Sequence, residues 1–372
     1  MRRNVQRLRQ LAPAIALFSM LANSPPAGAV TPADQCRFIG IHRFNDFKTE
    51  AAAEGERVLV SPVIKAPIAW NELVVSWNAR TPPDSSLKLE ARGLYPDRQT
   101  KYYTIAVWSP DETHRHSVRR QKDADGDVKT DTWTLRQPGA DVQLRITLDA
   151  ANGSPAPDLR FLGLSFLNSR MKAATPQSDR SAWGKIIATP ERSQHGYPNE
   201  KGWCSPASLS MVLARWSENL LRPEMNLTVP EVVSNIFDPV YGGTGNWAFN
   251  AAFAGSFDGM RAYVTRLSDI TELETWINAG IPVVISARWN LLSPERPDTG
   301  SGHLVVCIGF TESGDVVIND PATNLNKGQK VRHIYKRADV IKAWNDSHNT
   351  VYLIYPESVT PPADPFGHWD KK

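Results

Sequence analysis

The chain has 372 residues, 41% of them hydrophobic and 22% charged, with a formal net charge of +3. That length exceeds one typical domain and can bury a substantial core without disulfide staples. Four of the 42 basic residues fall in the first 29 positions, which leaves 38 basic against 39 acidic residues and no basic field for nucleic acid or a membrane surface.

Those first 29 residues read as a secretory signal peptide. Arg2, Arg3, Arg7 and Arg9 form a basic head, Leu11–Ala22 is apolar, and Ala27-Gly28-Ala29 is a small-residue cleavage site. The apolar stretch is too short for a membrane span. The expectation is an exported, soluble protein, periplasmic or extracellular.

Residues 30–168 read as an all-β unit. Strand-like runs occur at Leu73–Trp77, Leu87–Ala91, Tyr102–Trp108, Val142–Leu148 and Leu159–Phe166. Several alternate apolar with polar residues, and turn clusters separate them. Many short strands of this kind predict an antiparallel sandwich or jelly roll. Residues 169–186 are polar and aperiodic and read as a linker.

The second unit, 187–356, opens with helices and closes with strands, an α+β order. Helices are expected at Ser205–Trp216, where Pro206 suits a first turn, from Val229, and over Ser268–Ala279 with Gly280 as a stop. Strands are expected at Pro282–Ala287, His303–Phe310, Asp315–Ile318 and Val351–Tyr355. The Pro-rich tail, 357–372, reads as disordered.

The chemistry-bearing residues lie in this second unit. An odd cysteine count, Cys36, Cys204 and Cys307, leaves at least one free thiol in an exported protein, and whether Cys36 and Cys307 pair stays open. Cys204 immediately precedes the first helix, where the helix N-terminus lowers a thiol pKa and unpaired N–H groups can receive an oxyanion. His303 starts a strand behind Gly302 and is the candidate base. Asp320 ends the following strand and can orient that imidazole. Side chains alternate along a strand, so either Asp320 or its neighbour Asn319 faces His303, but not both. Gln194 is a candidate oxyanion donor from the loop before Cys204, with Ser193 and Asn199 as alternatives. Each residue alone also fits a structural role; their order along the chain makes them one constellation.

Metal and phosphate chemistry fit less well. No CxxC or HExxH occurs, His114 and His116 lie in a charged loop, and Asp123–Asp127 lacks the spacing of a calcium loop and reads as a turn. The glycine-rich stretch Tyr241–Asn250 lacks the Lys-Ser/Thr ending of a phosphate loop. Its Trp247 and Phe249 are candidates for lining a substrate groove, as is Trp203 beside the thiol. No cofactor is expected.

Four motifs in order, 202–213 (GWCSPASLSMVL), 243–250 (GTGNWAFN), 302–306 (GHLVV) and 317–322 (VINDPA), resemble the secreted relatives of the bacteriocin-processing, double-glycine cysteine peptidases, family thirty-nine of the cysteine peptidases. The resemblance spans roughly 187–356 and implies a papain-like fold. It implies Cys204 as nucleophile, His303 as base, Asp320 as orienting residue and Gln194 as oxyanion donor. The classical members are fused to membrane-spanning transporters. This chain carries a β-rich unit instead, so double-glycine leader cleavage does not carry over. The expected activity is a peptidase acting on a peptide or protein through a thioester acyl-enzyme. A cell-wall peptide amidase and an inactive binding module are the alternatives.

Overall fold

The computed structural model of the chain describes residues 30–150, 155–198, 200, 202–364 and 369–371. The signal peptide, Asn199 and His368 lie outside the described residues.

After a single helical turn, α1 (Pro32–Gln35), the first part of the chain builds ten strands. They are β1 (Cys36–Ile41), β2 (Lys48–Glu50), β3 (Glu56–Val60), β4 (Glu72–Arg80), β5 (Ser85–Leu94), β6 (Tyr103–Trp108), β7 (Gly126–Lys129), β8 (Thr132–Leu135), β9 (Asp141–Ala150) and β10 (Asp158–Leu167). All five strands read from the sequence are present, each within a few residues of the expected bounds. Two sheets result, in orders β1-β10-β4-β8-β7 and β2-β3-β9-β5-β6, with antiparallel neighbours throughout. Aromatic rings join them: Trp77 of β4 lies 6.1 Å from Trp108 of β6, and Tyr103 of β6 lies 5.6 Å from Trp133 of β8. The alternation of β9, buried at every second position, is the period-2 pattern expected of a strand with one face in the core.

The second part contains α2 (Cys204–Leu220), α3 (Val229–Ile236), α4 (Trp247–Ala254), β11 (Met260–Arg266), α5 (Ile270–Asn278), β12 (Val283–Arg288), β13 (Gly302–Phe310), β14 (Val316–Asn319), β15 (Arg332–Tyr335), α6 (Arg337–Asn345) and β16 (Thr350–Pro356). Its strands form one antiparallel sheet, β11-β16-β12-β13-β14-β15. Asp269 caps α5 through Thr271 N, and Gly280 follows with φ 79°, the stop expected from sequence. The end of the expected linker runs along β13, with Ile187 N donating to Ile308 O at 2.7 Å and Phe310 N to Lys185 O at 2.9 Å.

Two expectations are corrected. Half of the glycine-rich stretch is helical: α4 starts at Trp247 behind an Asn246 cap that accepts from Phe249 N. Phe249 then points into the core, fully buried against Trp77 and Trp108 at 6.3 and 5.3 Å, and lines no groove. The tail, expected to be disordered, adds β17 (Trp369–Lys371) parallel to β1. The partly buried Trp369 ring lies 4.9 Å from Phe38 and 6.0 Å from Trp276, and this packing of an indole offsets part of the ordering cost of the strand.

The two parts share an interface that completes a sheet edge. β11 is an edge strand, with backbone groups that need partners. Asn78 of β4 supplies them: its Nδ2 donates to Ala262 O at 2.6 Å and its Oδ1 accepts from Ala262 N at 3.2 Å. Ser76 Oγ accepts from Val264 N at 3.2 Å. Gly255 makes room for this, since a Cβ there would lie 2.0 Å from Asn78 Nδ2. Arg115, fully buried, crosses the same boundary and donates to Ser234 O and Phe237 O at the C-terminal end of α3, where the helix dipole favours a cation.

Candidate active site

Cys204 is the first residue of α2, preceded by Gly202 at φ 74° and Trp203. Pro206 in the first turn, where no intrahelical N–H is lost, starts the helix there. Neighbours hold this turn firmly. Ser205 Oγ donates to Asn250 Oδ1 at 2.9 Å and meets Tyr352 Oη at 3.0 Å. Asn250 Nδ2 in turn donates to Thr244 O, and Thr244 Oγ1 to Gly202 O at 3.0 Å. Ser208 Oγ, one turn on, donates to Leu304 O at 2.9 Å and so ties α2 to β13 beside His303.

His303 is buried at the start of β13 and hydrogen-bonded to the Cys204 side chain. Its Nε2 lies 2.7 Å from Asp320 Oδ1, which leaves Nδ1 as the nitrogen available to the thiol. Asp320 is fully buried directly after β14. Its Oδ1 also accepts from Ala322 N at 2.9 Å, and its Oδ2 accepts from Tyr335 Oη at 2.6 Å and Arg296 Nη2 at 2.8 Å. The alternation argument resolves in favour of Asp320: Asn319 turns the other way, its Nδ2 donating to Thr189 O and Pro190 O at 3.3 Å.

The electrostatics follow from these contacts. Burial pushes the Cys204 thiol up. The hydrogen bond and charge of His303, with the N–H groups of Leu304 and Ser205, outweigh it and hold the thiol below its ordinary value. Burial favours a neutral His303, but the charge and hydrogen bond of Asp320, then those of Cys204, raise it to about 9. Burial likewise opposes the Asp320 charge, and His303 followed by Arg296 and Tyr335 hold it well below the usual carboxylate range. A thiolate beside an imidazolium beside a carboxylate is an arrangement able to attack a carbonyl and deliver a proton to a leaving group.

Cys204 is partly exposed to a cleft of about 780 Å³. Gly202, Leu304, Tyr241 and Trp247 line it from the second part of the chain, and Glu72 and Lys129–Thr132 line it from the first. Trp247 lines this cleft. Trp203 is not among the cleft-lining residues; it stacks on Tyr197 at 5.7 Å. Gln194 also lies outside the lining. Its N donates to Pro321 O at 2.9 Å, which sets it beside the Asp320 turn, and its Oε1 is buried with no partner. Ser193 Oγ donates to Thr323 O, which turns it away from an oxyanion role. Arg296, Tyr335 and the Lys129–Thr132 tip were missed from sequence; nothing in their local spacing marks them.

The cysteines are all unpaired thiols, Cys36 and Cys307 buried. Among the described residues no group of three or more His, Cys, Asp or Glu side chains is placed to hold a metal ion, and no helix is long and apolar enough to cross a membrane. Asp123 closes a turn ahead of β7 by accepting from Asp125 N and Gly126 N, as its sequence suggested.

Protein-family models match both parts of the chain. The family model described as the peptidase C39 N-terminal domain matches residues 45–166, the region that the sequence resemblance did not reach. The Peptidase_C39 like family matches residues 186–352. No curated protein matches. Among solved structures, a candidate C39-like peptidase from Bacillus anthracis is 18% identical, with 45% of this chain and 96% of that one covered and a TM-score of 0.34. A structure of infectious bursal disease virus, Gt strain, is 14% identical, covering 42% and 36% with a TM-score of 0.21. These structural similarities are too low to assign a fold or an activity. Both matched regions are C39 models, and the chain belongs to the peptidase C39-like family.

Proposed function

We propose that this chain is an exported cysteine peptidase that hydrolyses peptide bonds through Cys204, His303 and Asp320. The observation that carries this reading is the continuous contact from the Cys204 thiol through His303 to the buried Asp320 carboxylate, opening on a cleft. The Sγ thiolate attacks the carbonyl carbon, forming a C–S bond, and a tetrahedral oxyanion results. The imidazolium donates its proton to the leaving amine as the C–N bond breaks, which leaves a thioester. His303 then takes a proton from water, the hydroxide attacks the thioester, and the thiolate departs with the carboxylic acid released. Asp320 stabilises the imidazolium and fixes its orientation. Gln194 and the N–H groups at the start of α2 are the proposed oxyanion donors.

The helix bearing Cys204 at its N-terminus, laid against the antiparallel sheet bearing His303, supports a papain-like reading of the second unit. The aromatics shared between the two preceding sheets support a sandwich-like reading of the first. Substituting Cys204→Ala removes the nucleophile without adding bulk, so peptide hydrolysis is expected to vanish while the melting temperature holds. Turnover equal to that of the unsubstituted protein would overturn the assignment.

A further inference from the structure

The β-rich part of the chain contributes a wall to the cleft, and the buried carboxylate in that wall, Asp131, has no salt bridge among the described residues. The hairpin β7–β8 turns through Thr130 and Asp131, with Lys129 paired to Thr132 across it. This tip lines the same cleft as Cys204. Thr130 has φ 59°, left-handed backbone that a β-branched residue rarely adopts. The tip is held there by Asp131, whose Oδ2 accepts from Trp247 N at 2.6 Å and whose Oδ1 accepts from Thr132 Oγ1 at 3.1 Å.

Asp131 is 7% exposed, and both of those donors are neutral. A buried carboxylate without a cation is costly. Among the described residues none makes a salt bridge to it. Arg266 acts on it only through its charge and pairs instead with Glu72 at 3.4 Å. Burial accordingly pushes the Asp131 carboxyl up to about 6, against the hydrogen bonds from Trp247 N and Thr132 and the charge of Arg266. Asp131 and Cys204 line the same cleft, together with Tyr241 and Trp247.

We propose that Asp131 is a specificity-determining residue that pairs with a cationic group of the substrate, a basic side chain or a free amine held near the scissile carbonyl. This rests on the reading of Cys204 as the reactive thiol, and it deepens that reading by naming a substrate class. The other two charges in the wall, Lys129 and Glu72, do not substitute for Asp131: Lys129 is exposed and of the same sign as the substrate group, and Glu72 is paired with Arg266. The competing view, that Asp131 only caps α4 and docks the hairpin, predicts no charge preference at all.

The test labels Cys204 with methanethiosulfonates that carry an aminoethyl, a methyl or a sulfonatoethyl group, in the full chain and in Asp131→Asn. The amide keeps an acceptor for Trp247 N. The expected result is that the aminoethyl-to-methyl rate ratio falls about fivefold to tenfold in the variant and the sulfonatoethyl-to-methyl ratio rises. Unchanged ratios would sink the proposal. Should Asp131→Asn lose its fold, the unsubstituted protein still decides the matter: a short lysyl peptide must protect Cys204 from the methyl reagent better than its norleucyl counterpart, and equal protection overturns it. Charge-dependent labelling and protection without any peptide hydrolysis would instead refute the peptidase reading and leave this one standing.

Discussion

His303 Nε2 and Asp320 Oδ1 lie 2.7 Å apart in a site that excludes water from both side chains. His303 is thereby raised from 6.5 to about 9, and Cys204 is lowered from its ordinary value. The two groups titrate as a pair whose apparent values are shared. Peptide hydrolysis is expected to be bell-shaped in pH, with the alkaline limb near 9 where the imidazolium loses its proton. Asp320→Asn removes the charge that raises His303, so that limb moves to lower pH. An alkaline limb left in place by the substitution would contradict the role given to Asp320.

The same pair sets a stability prediction. His303 binds its proton more tightly in the fold than in the unfolded chain, so its contribution is complete below pH 6.5 and is lost as pH rises through about 9. Asp320 has the opposite sign: its contribution is present above its ordinary 3.8 and is lost as pH falls below that. Urea unfolding followed between pH 6 and 10 should show midpoints falling toward the alkaline end, and Asp320→Asn should flatten that fall.

Tyr335 and Arg296 hold the far oxygen of Asp320 at 2.6 and 2.8 Å. Tyr335→Phe deletes one hydrogen bond to a buried charge and is expected to cost about 1.5–3 kcal/mol of stability. Because Arg296 still anchors the carboxylate, kcat should fall less than in Asp320→Asn. Equal losses in the two variants would mean that the phenol, not the carboxylate, governs the imidazole.

Asn78 is expected to matter far from the site. Its amide pairs with both backbone groups of Ala262 on the edge strand β11. Asn78→Ala strands a buried donor and a buried acceptor, at about 2–4 kcal/mol, and should split a single thermal transition into two as the two parts of the chain uncouple. A midpoint unchanged from the parent would show that the edge is satisfied in another way.

Thiol counting offers a direct check on the cysteines. Burial pushes Cys307 up to about 12 and Cys36 higher still, whereas Cys204 is lowered and faces the cleft. A mild alkylating agent should modify one thiol in the native protein and three after denaturation. Two or three fast-reacting native thiols would contradict the burial of Cys36 and Cys307.

Much of the candidate site was legible because its parts are local patterns. A cysteine ahead of a proline-started helix, a histidine at the head of an apolar strand, and the two-residue period that lets only one of Asn319 and Asp320 face His303 are each written within a few positions. The positions of Gln194 and Trp203 were less legible. A loop residue has no period to orient its side chain, and Trp203 spends its ring on Tyr197.

The sequence by itself determined where the candidate thiol, histidine and carboxylate stand, since helix starts and strand alternation are short-range consequences of backbone geometry. Only the tertiary structure decided what faces them. Arg296 and Tyr335 reach Asp320 across 24 and 15 residues, and Asp131 reaches Trp247 across 116. The folding of the second part brings Arg296 and Tyr335 to Asp320, the packing of the two parts brings Asp131 to Trp247, and no local periodicity encodes contacts between stretches so far apart in the chain.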